Sequence, residues 1–133
     1  MESTAESATR RKRRQAMIEL SLPWPDRGLQ SNARSKTHHK KDRLTKAARA
    51  YAWGVGLEAK LPKIPNATIF VEYYPKSYRG DIHNVPSSLK AYIDGIADAM
   101  GCDDKHFRVD YPTQWAGKHP EGRIVFRIEQ PAP

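Results

Sequence analysis

The chain has 133 residues, 38% of them hydrophobic and 29% charged, and a formal net charge of +8 from 23 Lys and Arg against 15 Asp and Glu. That length suits one domain with a modest core, and the single cysteine, Cys102, excludes an internal disulfide and a cysteine-based zinc knuckle. No apolar run approaches the roughly 18 residues of a membrane span, no signal peptide is readable, and the cytoplasm is the expected compartment.

In chain order, residues 1–15 are small, polar and then densely basic, and they read as a disordered basic tail. Residues 16–129 read as the folded domain and 130–133 as a frayed end. "AMIELSL" alternates, with Ile18, Leu20 and Leu22 on one side, and is expected to be the first strand. A long polar loop, "PWPDRGLQSNARSKTHHKK", follows. Loops of this length in small domains are often functional. From about Asp42 to Glu58 the pattern is helical, with Leu44, Ala47, Ala48, Tyr51 and Val55 on one face. "NATIFVEYY" is rich in β-branched and aromatic residues and reads as a strand closed by Pro75. A second helix is expected from near Pro86 to Met100, stopped by Gly101, with Leu89, Ile93, Ile96 and Met100 as its buried stripe. "HFRVDY" and "GRIVFRIE" read as two final strands. The expected order is β-α-β-α-β-β, an α/β or α+β single domain with two helices.

The positive excess favours a polyanionic partner, because binding phosphates releases condensed counterions. A well-solvated basic surface is the plainer explanation. Within this basic chain, "DIHNVPSSLK" at 81–90 places a carboxylate, an imidazole, an amide and a lysine together, and Asp103 and Asp104 follow one helix later. In an extended segment Asp81 and His83 would point to the same side. With Asp104 they would offer oxygen and imidazole ligands to Mg²⁺ or Mn²⁺, and Lys90 could steady a phosphate oxygen. Phosphodiester hydrolysis is the chemistry that uses such a set. The same residues also have plain structural roles. Asp81 can make a turn after Gly80, Asn84 can cap the helix, Asp103 and Asp104 can form a polar turn, and Lys90 with Asp94 can be an ordinary surface pair.

Four features in order carry a resemblance. They are "LPWP" at 22–25 with Asn32 and Arg34 in the loop after it, "RGDIHN" at 79–84, "LKAYIDGIADAMG" at 89–101, and "DDKHFRVD" at 103–110. Together they resemble the RusA family of Holliday-junction resolvases, over roughly residues 16–129. The resemblance implies a mixed sheet and a homodimer that makes paired nicks in four-way DNA junctions with Mg²⁺ or Mn²⁺. It puts Asp81 and Asp104 at metal-binding aspartates, Lys90 at the catalytic lysine and Asp94 at the acidic residue one turn later, with Asn84 and Asp103 beside them. Where the family has its second aspartate this chain has His83, and "VPSS" lengthens the segment before Lys90.

His83 then has three readings: a neutral metal ligand favouring Mn²⁺, a general base, or a substitution that disables the site. DNA contact is assigned to Arg27, Arg34, Lys36, Lys40, Lys41, Arg43 and Arg79. Trp24 and Tyr78 are placed as stacking surfaces for unpaired bases, with packing the alternative for Trp24. A non-catalytic nucleic-acid binder is the competing function. A zinc site through His38, His39 and His83 is disfavoured by the lone cysteine.

Overall fold

A computed structural model describes residues 17–30 and 38–130. The expected basic tail, the loop residues Arg34 and Lys36, and residues 131–133 lie outside the described residues, as do the side chains of His38 and His39.

Four strands form one mixed sheet: β1 (Met17–Pro23), β2 (Thr68–Tyr74), β3 (Arg108–Asp110) and β4 (Arg123–Glu129), in the order β1-β4-β2-β3. β4 pairs antiparallel with both β1 and β2, while β3 runs parallel to β2. The parallel pair needs a crossover, and residues 85–100 supply it. Period-2 patterning decides which face is buried. Leu20 and Leu22, Ile69, Val71 and Tyr73, and Ile124, Phe126 and Ile128 all turn inward. On the other face Arg127 of the central strand donates to Glu72 at 2.9 Å and pairs with Glu19 at 3.1 Å, tying three strands together.

Three α-helices accompany the sheet: α1 (His38–Glu58), α2 (Val85–Ser88) and α3 (Lys90–Met100). The order expected from sequence is present, but the second helix is divided. Ser88 Oγ donates to the Val85 carbonyl at 2.6 Å, and the Leu89 N–H turns instead to the Pro86 carbonyl at 3.1 Å. The side chain thus competes for a carbonyl of the helical ladder. Leu89, with φ −97° and ψ −5°, joins the two pieces. The expected stripe of Leu89, Ile93, Ile96 and Met100 is buried. Gly101, at φ 75°, closes α3: its N–H reaches the Asp98 carbonyl and the Cys102 N–H reaches the Ala97 carbonyl, both at 3.1 Å.

The inward face of α1 differs from the sequence expectation. Leu44, Ala48 and Val55 are half-buried, and Ala52 and Gly56 are buried, whereas Ala47 and Tyr51 are exposed. The cause is a close crossing with α3. A Cβ added at Gly95 would collide with the Arg49 carbonyl oxygen and lie 2.8 Å from the Ala52 Cβ. Small residues therefore form the seam, and Tyr51, Trp53 and Leu57 point to solvent. Tyr92 of α3 adds an anchor, its hydroxyl donating to the Pro23 carbonyl at 2.9 Å. Burial pushes that phenol up to about 12. Among the described residues no helix is long and apolar enough to cross a membrane.

Candidate functional site

Asp81 sits just past the C-terminal end of β2, and the segment after it is a 3₁₀ turn, Ile82–Asn84, rather than an extended strand. The Asp81 carboxylate accepts from the His83 N–H at 2.9 Å and so starts the turn. In a 3₁₀ turn of three residues per revolution, positions i and i+2 do not share a side. The expected alignment of Asp81 with His83 is therefore replaced by a side chain-to-backbone cap. Asn84 precedes α2 without a side-chain capping bond. Asp103 plays the role of Asp81 again, accepting from the Lys105 N–H at 3.1 Å at the start of the turn Asp104–His106.

Asp104 lies between α3 and β3, where the chain returns to the sheet. Its carboxylate accepts a bond from Lys90, whose ammonium also pairs with Asp94 at 3.0 Å. Both carboxylates are 23% exposed and Lys90 is 64% exposed. The Lys90 hydrogen bond holds the Asp104 carboxyl below the usual carboxylate range, and Asp104 in turn holds the Lys90 ammonium above its ordinary value. Nearby, Arg49 of α1 donates to Asp98 at 2.6 and 2.9 Å. That contact lowers the Asp98 carboxyl and raises the guanidinium. Arg49, Asp94, Asp98, Cys102, Asp103 and Asp104 surround a depression of about 570 Å³. Arg49 was not singled out from sequence, since its partner lies 49 positions away.

Asp81 belongs to a different concavity. A groove of about 900 Å³ is lined by Trp24, Arg27, Lys76, Arg79, Asp81 and Trp115, with Asn84 and Glu121 among its other walls. Local chemistry places these groups. Asp26 accepts from the Gly28 N–H at 2.8 Å and turns the chain at Arg27–Leu29, presenting Arg27 to solvent while Leu29 is buried. The 111–122 connection is tied to β2 and its end by the Ala116 N–H to the Tyr73 carbonyl at 2.9 Å and the His119 N–H to the Pro75 carbonyl at 3.0 Å. That tie sets Trp115 at 6.0 Å from Tyr73, 6.3 Å from Trp24 and 6.4 Å from Tyr78, centroid to centroid, the last pair within 17° of parallel. Lys118 reaches to 4.7 Å from the centre of the Tyr78 ring. Trp24 is half-buried among these rings, and Tyr78 is 49% exposed. Trp115, Lys76 and Lys118 were not singled out from sequence. A lone tryptophan in a Pro- and Gly-containing connection was the available signal.

The residues singled out from sequence thus divide between two places. Lys90, Asp94, Asp103 and Asp104 gather at the end of α3, while Asp81, Asn84, Arg27 and Arg79 gather in the groove. His83 is exposed in its turn. Among the described residues no three His, Cys, Asp or Glu side chains come close enough to hold a metal ion. Asp81, His83 and Asp104 are thus not drawn into one close group in this arrangement. The ammonium of Lys90 supplies the positive charge between Asp94 and Asp104. Lys40 and Arg43 are exposed, and Lys41 half-exposed, on the first turns of α1.

No family model matches the chain. A protein of Xylella fastidiosa, described as an uncharacterized protein, is 33% identical over 118 residues, covering 84% of this chain and 76% of its own length. Identity of that extent over most of both chains shows common descent, and the protein belongs to the same family as this Xylella fastidiosa relative.

Proposed function

We propose that the protein is a structure-selective DNA endonuclease that binds branched DNA as a homodimer and resolves four-way junctions by paired nicks. The observation that supports this best is the groove in which Arg27, Lys76 and Arg79 stand with Trp24 and Trp115 around Asp81. The guanidinium and ammonium groups neutralise phosphates, and the rings offer faces to bases that a branch point leaves unstacked. A carboxylate in such a groove repels the phosphate backbone unless cations surround it, and here they do. The resemblance of the 79–110 segments to the RusA resolvases supports the reaction type, with Lys90 and Asp104 at the catalytic lysine and an essential aspartate. Lys90, held protonated by Asp94 and Asp104, serves as a fixed positive charge for a phosphate oxygen rather than as a base. The same resemblance supports Mg²⁺ or Mn²⁺ as the cofactor, which Asp81, His83 and Asp104 would hold, and because these three are not gathered as ligands no chemical step is routed through it. For the homodimer, the solvent-facing Tyr51, Trp53 and Leu57 of α1 offer the apolar surface, and a two-fold protein suits a two-fold junction.

The separation of Asp81 from Asp104 favours one second reading, a DNA-binding protein that does not cut. Titration of Mg²⁺ and Mn²⁺ against a labelled four-way junction separates the two. Cleavage that disappears in Lys90→Ala supports the endonuclease. A junction bound in EDTA yet intact at every cation concentration supports the binder.

A further inference from the structure

We infer that the groove lined by Trp24 and Trp115, together with Tyr78 stacked beside Trp115, is a stacking site for an unpaired single strand of DNA, and that it works without a metal ion. The inference rests on the nucleic-acid reading above and adds the kind of strand and the side chains that grip it.

Three observations carry it. First, the groove's roughly 900 Å³ falls within the ~300–1,000 Å³ range of sites that enclose small ligands, enough for a nucleotide rather than only an ion. Second, the aromatic groups in the groove, Trp24 and Trp115, and Tyr78 beside them present ring faces. Tyr78 lies nearly parallel to Trp115 and keeps 49% of its surface open to solvent. Ring faces bind the faces of bases, and in a duplex those faces are already covered by neighbouring base pairs. This chemistry therefore selects unpaired bases and discriminates against the helix. Third, the cations are spaced around the rings. Arg27, Lys76 and Arg79 line the groove, and Lys118 sits over the Tyr78 ring. The three positive groups in the lining outnumber its two carboxylates, Asp81 and Glu121, so the phosphates on either side of a stacked base find partners.

The site is also built in advance. Trp115 is fixed by the two backbone bonds of its loop to Tyr73 and Pro75. Trp24 is wedged against Gly122, where an added Cβ would lie 2.8 Å from the Trp24 Cβ and where φ is 79°. Little side-chain freedom remains to be lost on binding. Nothing in this arrangement involves Lys90, Asp94 or Asp104, so strand binding is independent of the cluster at the end of α3.

The test uses the full chain carrying Trp53→Phe, which removes the emission of the solvent-facing tryptophan on α1 and leaves Trp24 and Trp115 to report. Tryptophan emission is followed in EDTA during titration with an oligothymidylate of about eight nucleotides, within the ~4–16 nucleotides that single-strand sites span. The same strand annealed to oligoadenylate and thymidine 5′-monophosphate are titrated in parallel. Saturable quenching by the single strand is expected, with at least about tenfold weaker binding of the duplex and of the mononucleotide. Tyr78→Ala is expected to weaken strand binding by a factor of roughly 5–150, the worth of one stacked base, and Tyr78→Phe to keep it. Because Tyr78 is exposed, its replacement leaves the fold intact, which thermal melting checks. Absence of quenching, equal affinity for duplex or mononucleotide, or an unchanged Tyr78→Ala overturns the inference. The wild-type chain, with Trp53 in place, is assayed on four-way junctions with Mg²⁺ and Mn²⁺. Quenching without cleavage sinks the endonuclease reading alone, and cleavage without quenching sinks this inference alone.

Discussion

Replacing Lys90 with methionine removes the ammonium that lies between Asp94 and Asp104 while keeping the length of the side chain. In the wild type the Asp104 carboxyl is held below its ordinary value of about 3.9 by the Lys90 hydrogen bond. A carboxyl lowered by folding adds stability above its unfolded pKa, and that stability is lost as pH falls through the folded value. Lys90 is raised above its ordinary value of about 10.4, so its share is complete below that pH and is lost as pH rises through the folded value. The ion-pair contribution is therefore full between roughly pH 5 and 10. Lys90 is 64% exposed, so solvent screens the pair, and each contact is worth about 0.2–1 kcal/mol. With two carboxylates sharing one ammonium, Lys90→Met is expected to cost about 1 kcal/mol at pH 7, or roughly 3–6 °C in Tm for a domain of this size. The loss shrinks as pH falls through the lowered Asp104 value, where that carboxylate gains its proton. Calorimetric melting of both proteins from pH 2.5 to 7, with NMR titration of the Asp104 carboxyl, reads the two effects together. A Tm difference that is the same at pH 2.5 and 7, or an Asp104 midpoint that does not rise in Lys90→Met, refutes the reasoning.

Gly95→Ala puts a methyl against the Arg49 carbonyl and Ala52 at the helix crossing. It is expected to lower the urea midpoint by the equivalent of about 1–3 kcal/mol, despite the ~1 kcal/mol by which alanine is the better helix former. An unchanged or raised midpoint would contradict the close crossing. Tyr73→Phe removes a buried hydroxyl that has no hydrogen-bond partner among the described residues, so the variant is expected to be as stable as the wild type or about 1 kcal/mol more stable. Marked destabilisation in the same unfolding assay would show that the hydroxyl is satisfied. Arg27→Ala and Arg79→Ala are each expected to reduce the slope of log binding constant against log salt by about 1 on junction DNA. A slope left unchanged by both would remove the groove from the DNA interface.

The sheet and the crossover helix were legible because each buries one face. Leu20 and Leu22, Ile69, Val71 and Tyr73, and Ile93, Ile96 and Met100 declare their periods within single elements. The inward face of α1 was not, since Ala52 and Gly56 carry little hydrophobic signal and are buried because Gly95 lets the partner helix approach. The break at Leu89 depends on one hydroxyl, that of Ser88, taking a carbonyl from the helical ladder. At the site, the short-range roles of Asp81 and Asp103 could be written down from sequence as turn-forming carboxylates, and the structure shows those roles. The pairing of Lys90 with Asp94 was legible from i, i+4 spacing, and Asp104 completes it across the end of α3. The groove was only half visible. Arg27, Arg79, Trp24 and Tyr78 were named, but Trp115 reaches them through a loop pinned to β2 by backbone bonds that no side-chain pattern announces.

The central claim is that this basic, aromatic groove holds branched DNA so that the protein can cut it. A labelled four-way junction and a linear duplex of the same arm sequence, incubated with the protein across a range of Mg²⁺ and Mn²⁺ concentrations and resolved on denaturing gels, test it most directly. The account predicts paired nicks in the junction, an intact duplex, and loss of cleavage in Lys90→Ala. A junction left uncut at every concentration of both cations would contradict it.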